Sequence, residues 1–162
     1  MGAYLENDAV ISDCGRYRYL LRRTWDFKKP RALFVMLNPS TADASTDDAT
    51  IRSCVRLLKA LEYGSLEVVN LFAWRATDPN ELRTVENPIG PMNERVMYAA
   101  VQRCDVVVFA WGADPFAERK SRFTREAVKV WRPAVYCLGK TKSGQPKHPL
   151  YIKAGTPLEA YP

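Results

Sequence analysis

The feature that most constrains the fold is an alternation of hydrophobic period. RALFVML (31–37), SLEVVNLFA (65–73), DVVVFAWG (105–112) and PAVYCLG (133–139) are nearly continuous apolar runs, as expected of strands covered on both faces. Between them the spacing turns helical. Ile51, Val55, Leu58 and Leu61 recur every three or four residues until Tyr63 and Gly64 end the segment. NERVMYAAVQRC follows the second run, and FTREAVKVW puts Phe123, Ala127, Val130 and Trp131 on one helical face. Strands alternating with helices imply right-handed crossovers and a parallel sheet with helices on both sides. The expected fold is α/β: a three-layer α/β/α sandwich with a mainly parallel four-stranded core sheet. DAVISDC and RYRYLLRRTW, on either side of Gly15, predict an N-terminal β-hairpin beside it. A chain of 162 residues without internal repeat, low-complexity tract or linker is expected to be a single domain over 1–162.

In such a sheet all the strands point one way, so their carboxyl ends share an edge, where ligands bind in open α/β folds. NPSTAD follows the first run, NLFAWRATDP extends from the second, WGADP closes the third and GKTKSGQPKHP follows the fourth. Asn38, Asn70, Trp74, Arg75, Trp111 and His148 are thereby expected to share one cleft. Each also has a plainer reading. Asn38-Pro39-Ser40 suits a turn that ends a strand, and Asp47 and Asp48 suit caps of the following helix. His148 alone reads as an exposed loop residue. Asn70 resists such a reading: it interrupts EVVNLFAW, and a buried amide without partners costs about 1–3 kcal/mol. The Pro-rich loop 77–91 is long for a strand-to-helix connection, which favours a functional loop.

Other classes lose ground on composition and motif. Lys and Arg outnumber Asp and Glu by 24 to 18, a net charge of +6 that suits either solubility or a polyanionic partner. Cys14, Cys54, Cys104 and Cys137 are scattered without a C-x-x-C pair and read as reduced cysteines, three of them in apolar segments. With one histidine in the chain, no metal site and no cofactor are expected. No phosphate-binding glycine loop, nucleophile elbow, membrane-length apolar run or basic secretory leader is present, so a cytoplasmic protein with no membrane association is expected.

VMLNPSTADASTDDATIRSC, LEVVNLFAWRATDP, VVVFAWG and LGKTKSGQPKHPLYI resemble sequence blocks of a domain-of-unknown-function family of bacteria and phages, DUF1643, over about residues 17–155. More distantly, MLNP after the first core strand and KHPL after the last are similar to the two motifs of the uracil-DNA glycosylase superfamily, nearest its mismatch-specific branch. That resemblance implies a glycosylase-like fold in which Asn38 positions the attacking water, Asn70 reads the base and His148 stabilises charge on the departing base. On net positive charge, Lys140, Lys142 and Lys147 of the last loop are expected to contact DNA, with Leu150 and Tyr151 beside them, and Ser40 is expected to bind the substrate. Met36 stands where that superfamily has Gly, Leu150-Tyr151 replaces its Ser-containing continuation, and no Phe follows the first motif, which argues against uracil itself.

The chemistry is coherent with these residues. Breaking an N-glycosidic bond develops positive charge on the sugar and negative charge on the base, so donors preorganised at the base stabilise the transition state. The Asn38 carbonyl can hold a water in line, and Asp43 is the nearest carboxylate should a base be needed. Trp74 and Trp111 are candidates to stack on a flipped base. The expected function is a DNA glycosylase-like hydrolase of a noncanonical or modified base. The alternatives are a non-catalytic module that binds DNA or a nucleotide, and a hydrolase of free nucleosides or nucleotides.

Overall fold

Alternation within each strand decides which face every side chain meets. The computed structural model describes residues 3–162. In β3 (Arg31–Met36), Ala32, Phe34 and Met36 turn to one side of the sheet and pack with Ile51, Cys54, Val55 and Leu58 of α1 (Ala49–Ala60). Leu33 and Val35 turn to the other side, where α2 (Asn93–Arg103) contributes Met97, Ala100 and Val101 and α3 (Glu118–Trp131) contributes Val128. Two apolar clusters, one per face, make the molecule three-layered.

The sheet has seven strands in the order β1-β2-β4-β3-β5-β6-β7. β4 (Ser65–Asn70), β3, β5 (Val106–Phe109) and β6 (Tyr136–Cys137) run parallel, and β6 touches β5 only through Val108 and Tyr136. Antiparallel strands widen this core on both sides. β1 (Glu6–Ile11) and β2 (Arg18–Thr24) form the expected hairpin, and β2 then pairs with β4. β7 (Glu159–Ala160), which no apolar period announces, pairs with β6. The sheet is thus mixed rather than simply four-stranded.

The connection from β3 to β4 runs over one face through α1, and that from β4 to β5 over the other through α2. Because β3 lies between β4 and β5, the two crossovers diverge beside its carboxyl end, the switch point where open α/β sheets bind ligands.

Three local features depart from the sequence pattern. Glu67 in β4 is fully buried and is held by Arg22 (3.1 Å), Arg31 (3.3 Å) and Arg103 (2.6 Å). Burial opposes its ionisation, but the Arg103 hydrogen bonds and the surrounding guanidinium charges win and hold its pKa below the usual carboxylate value. Secondly, α3 packs through Ser121, Thr124 and Val128, leaving Phe123, Val130 and Trp131 exposed, contrary to the apolar face read from FTREAVKVW. Thirdly, β2 is bulged: Val10 opposes Leu20 and Ile11 opposes Arg18, so Tyr19 has no partner in the register.

Candidate functional site

The site is a cleft of about 180 Å³ at the carboxyl edge of β3 and β4, closed on one side by the first turn of α1. Asn38, Asn70 and His148, from three distant segments, all line it. Asn38 stands just past the end of β3, after Leu37. Its amide nitrogen donates to the carbonyls of Pro39 (3.0 Å) and Ala76 (2.8 Å), which fixes the carboxamide and leaves Oδ1 as its uncommitted atom. The backbone of Asn70 is tied by the buried Asn93, whose Nδ2 donates to the Asn70 (2.9 Å) and Leu71 (3.2 Å) carbonyls. The Asn70 carboxamide itself is buried and bonds to nothing through either Oδ1 or Nδ2. Buried polar groups are paired in the great majority of cases, so this one points to a ligand.

His148 is placed by its loop. Gly112 N–H donates to the Pro146 carbonyl (2.9 Å) and Lys147 N–H to the Gly139 carbonyl (2.9 Å), tying the loop to the ends of β5 and β6. His148 Nδ1 accepts the Leu150 N–H at 3.1 Å, so in the neutral ring the proton sits on Nε2. Burial lowers the His148 pKa, against a smaller opposing pull from Asp48, and the ring is therefore neutral at pH 7.

Asp48 caps α1 through Oδ1, which accepts the Ile51 N–H at 2.9 Å, and the same carboxylate lines the cleft. Arg18 lies opposite in character: a buried cation whose Nη1 donates to the Ala42 carbonyl at 3.0 Å while Nε has no partner. Burial pushes its pKa down to about 10, and Asp48 is the group that counters this most.

Residues 18–150 match the family described as Protein of unknown function (DUF1643). The chain belongs to this family. The DUF1643 span begins on Arg18 and encloses every residue that lines the cleft. No curated protein and no solved structure matches the chain.

Ser40 also lines the cleft, while the other residues expected there do not. Asp43 caps its own loop, Oδ1 accepting the N–H groups of Ser45 and Thr46 (both 2.9 Å), and these bonds hold its pKa below the ordinary value. Asp47, read as a cap, instead pairs with the buried Arg23 at 2.8 Å. Trp111 is a core residue beside Phe109 and Tyr161, and its indole N–H holds Gln145 of the His148 loop (2.9 Å); it anchors that loop and is not free to stack on a ligand. Trp74 packs edge-on against Tyr17 and donates to Glu81 (3.1 Å), away from the cleft lining. Arg75 bonds the Gly15 carbonyl at 3.2 Å, and its charge reaches Arg18 and Asp43 from outside the lining.

Lys140, Lys142 and Lys147 are exposed on the His148 loop, with Lys140 over the Tyr161 ring. Leu150 and Tyr151 border a separate hollow of about 340 Å³ with Arg52 and Arg56 of α1, and Tyr151 is 95% exposed with φ of 70°. Among the described residues no three His, Cys, Asp or Glu side chains gather as metal ligands, and no helix is long and apolar enough to cross a membrane. Sequence reasoning missed Arg18, Asn93 and the place of Asp48 in the cleft. The D-x-x-I cap pattern was the only signal for Asp48, and it indicated a helix start rather than a site.

Proposed function

We propose that this protein is a DNA glycosylase-like enzyme that hydrolyses the N-glycosidic bond of a noncanonical or modified base. The observation that carries the reading is the buried, unpartnered carboxamide of Asn70 in the same cleft as Asn38 and His148. A carboxamide offers a donor beside an acceptor, the pattern that matches a base edge bidentately. The cleft is smaller than the roughly 300–1,000 Å³ of pockets for drug-sized ligands, which suits a single ring with its sugar at the mouth. The alternation of strands and helices and the position of MLNP and KHPL support likening the fold to uracil-DNA glycosylases.

In this reading the target base leaves the helix stack and enters the cleft, and Asn70 holds its edge. Asn38 Oδ1 accepts a hydrogen bond from a water and orients it toward the anomeric carbon. As the C–N bond breaks, its electron pair moves to the base, where His148 Nε2–H donates to the developing negative charge. The water oxygen forms the new bond to the sugar. Asp48, rather than Asp43, is the carboxylate near the positive sugar and receives the water's proton. Because His148 is neutral, it stabilises the base as a hydrogen-bond donor and not as a full cation.

The decisive experiment incubates the protein with oligonucleotides carrying varied modified bases and assays abasic sites by alkaline cleavage. Base release that disappears in Asn38→Ala is expected. Binding without any abasic site returns the protein to a DNA- or nucleotide-binding module, and release from free nucleosides alone makes it a nucleoside hydrolase.

A further inference from the structure

Arg18 reaches the cleft because of the bulge in β2. With Tyr19 omitted from the register, Arg18 leaves the face that Leu20 shares with α2 and joins the face of Leu21 and α1. Bulges re-aim side chains in this way and cluster beside functional sites. The result is a guanidinium that is 2% exposed, lines the cleft, forms no salt bridge among the described residues although the Asp48 charge pulls on it, and keeps an unpartnered Nε. Burying such a charge unpaired is unfavourable unless something in the cleft answers it.

The less deeply buried polar groups of the lining are held in part, and keep Asn38 Oδ1 and His148 Nε2–H for the chemistry proposed above. The Asn38 amide is held by two carbonyls, Asp48 Oδ1 by the Ile51 N–H and His148 Nδ1 by the Leu150 N–H. What remains buried and unpaired is two donors, Arg18 Nε–H and the Asn70 amide, and one acceptor, Asn70 Oδ1. A ring carbonyl has two lone pairs and takes both donors, while a neighbouring ring N–H meets Asn70 Oδ1. A base that presents an amino group beside a bare ring nitrogen fits poorly. Its nitrogen has one lone pair for two donors, and its amino group donates, which an arginine cannot accept.

We infer that Arg18 is the specificity-determining residue of this cleft, selecting rings that carry a carbonyl next to a ring N–H over their amino counterparts. The inference rests on the base-binding reading above and names the class of base. It does not require that the base be cleaved.

The test uses the full chain and free bases in matched pairs, uracil against cytosine and hypoxanthine against adenine, with affinities from chemical-shift titration. Wild type is expected to favour the oxo member of each pair by at least about tenfold, the discrimination of one good bidentate contact. Arg18→Met, close in volume and without a donor, is expected to bring the ratio near one. A merely structural Arg18 changes both affinities alike and preserves the ratio. The inference is overturned by equal affinities in wild type, which would mean that ordered water satisfies Nε. A ratio retained in Arg18→Met, or no binding of any of the four bases, overturns it too. If Arg18→Met fails to fold, Arg18→Leu takes its place, with loss of the ratio expected and a retained ratio overturning the inference. Abasic-site assays separate the two readings. Oxo preference without base release leaves the inference standing and removes the enzyme, whereas base release without oxo preference does the reverse.

Discussion

In the proposed reading, single side chains divide the cleft between holding and reacting. Asn38 has its nitrogen anchored and its oxygen free, so it is expected to serve water attack and to add little to affinity. In single-turnover base release, Asn38→Ala is expected to be slower by about 100-fold or more, the scale of a lost positioning contact, with DNA affinity essentially unchanged. Loss of affinity with release intact would reassign Asn38 to binding. His148 sets the pH response. Its folded pKa lies below the unfolded value of 6.5, so folding favours the neutral ring. Stability from this group is complete above 6.5 and is lost as pH falls through the lowered folded value, because the unfolded chain then binds the proton more readily. Urea melts between pH 7 and pH 5 are expected to show a smaller loss in His148→Asn than in wild type; identical slopes would place the titration elsewhere. In the proposed chemistry the neutral ring is the donor to the base, so base release is expected to hold from pH 7 to below 6.5 before it falls.

At the level of elements, α1 both covers one face of the sheet and presents its first turn to the cleft. Asp48 serves both purposes, and two substitutions separate them. Asp48→Ala removes the cap and is expected to lower stability by about 1 kcal/mol, whereas Asp48→Asn keeps an acceptor for Ile51 N–H and should melt close to wild type. Both should lose base release, since each removes the charge; an active Asp48→Asn would leave Asp48 as a cap alone. The helices, the four parallel strands and the hairpin could be read from apolar period because burial on both faces leaves so plain a mark. The buried side of α3 could not: Ser121 and Thr124 are buried there, and their polar identity hides this, while the apolar Phe123, Val130 and Trp131 point outward. Arg18 was hidden for a related reason. A strict period of two assigns it to the wrong face, and only the one-residue slip at Tyr19 turns it into the cleft. Asn70 was legible because an amide inside an apolar strand has no cheap explanation. Trp74 and Trp111 were misplaced because composition marks aromatics near an edge without saying whether the core has already claimed them.

For the molecule as a whole, the net charge of +6 and the exposed lysines of the His148 loop predict DNA binding that weakens steeply as salt rises, with a negative slope of log affinity against log salt. Titrations of a fluorescent oligonucleotide from 50 to 200 mM salt, roughly the range over which such binding collapses, check this; a flat response would favour a small-molecule ligand. The cleft also draws its walls from nearly the whole length of the chain, Arg18 at one end and His148 at the other. During synthesis, the arginine and both asparagines leave the ribosome well before the histidine loop exists to face them. A chain stalled before His148 is expected to neither bind nor cut, and ligand protection in arrested nascent chains should switch on only after that loop emerges. Such an arrangement withholds a complete cleft until the His148 loop has emerged.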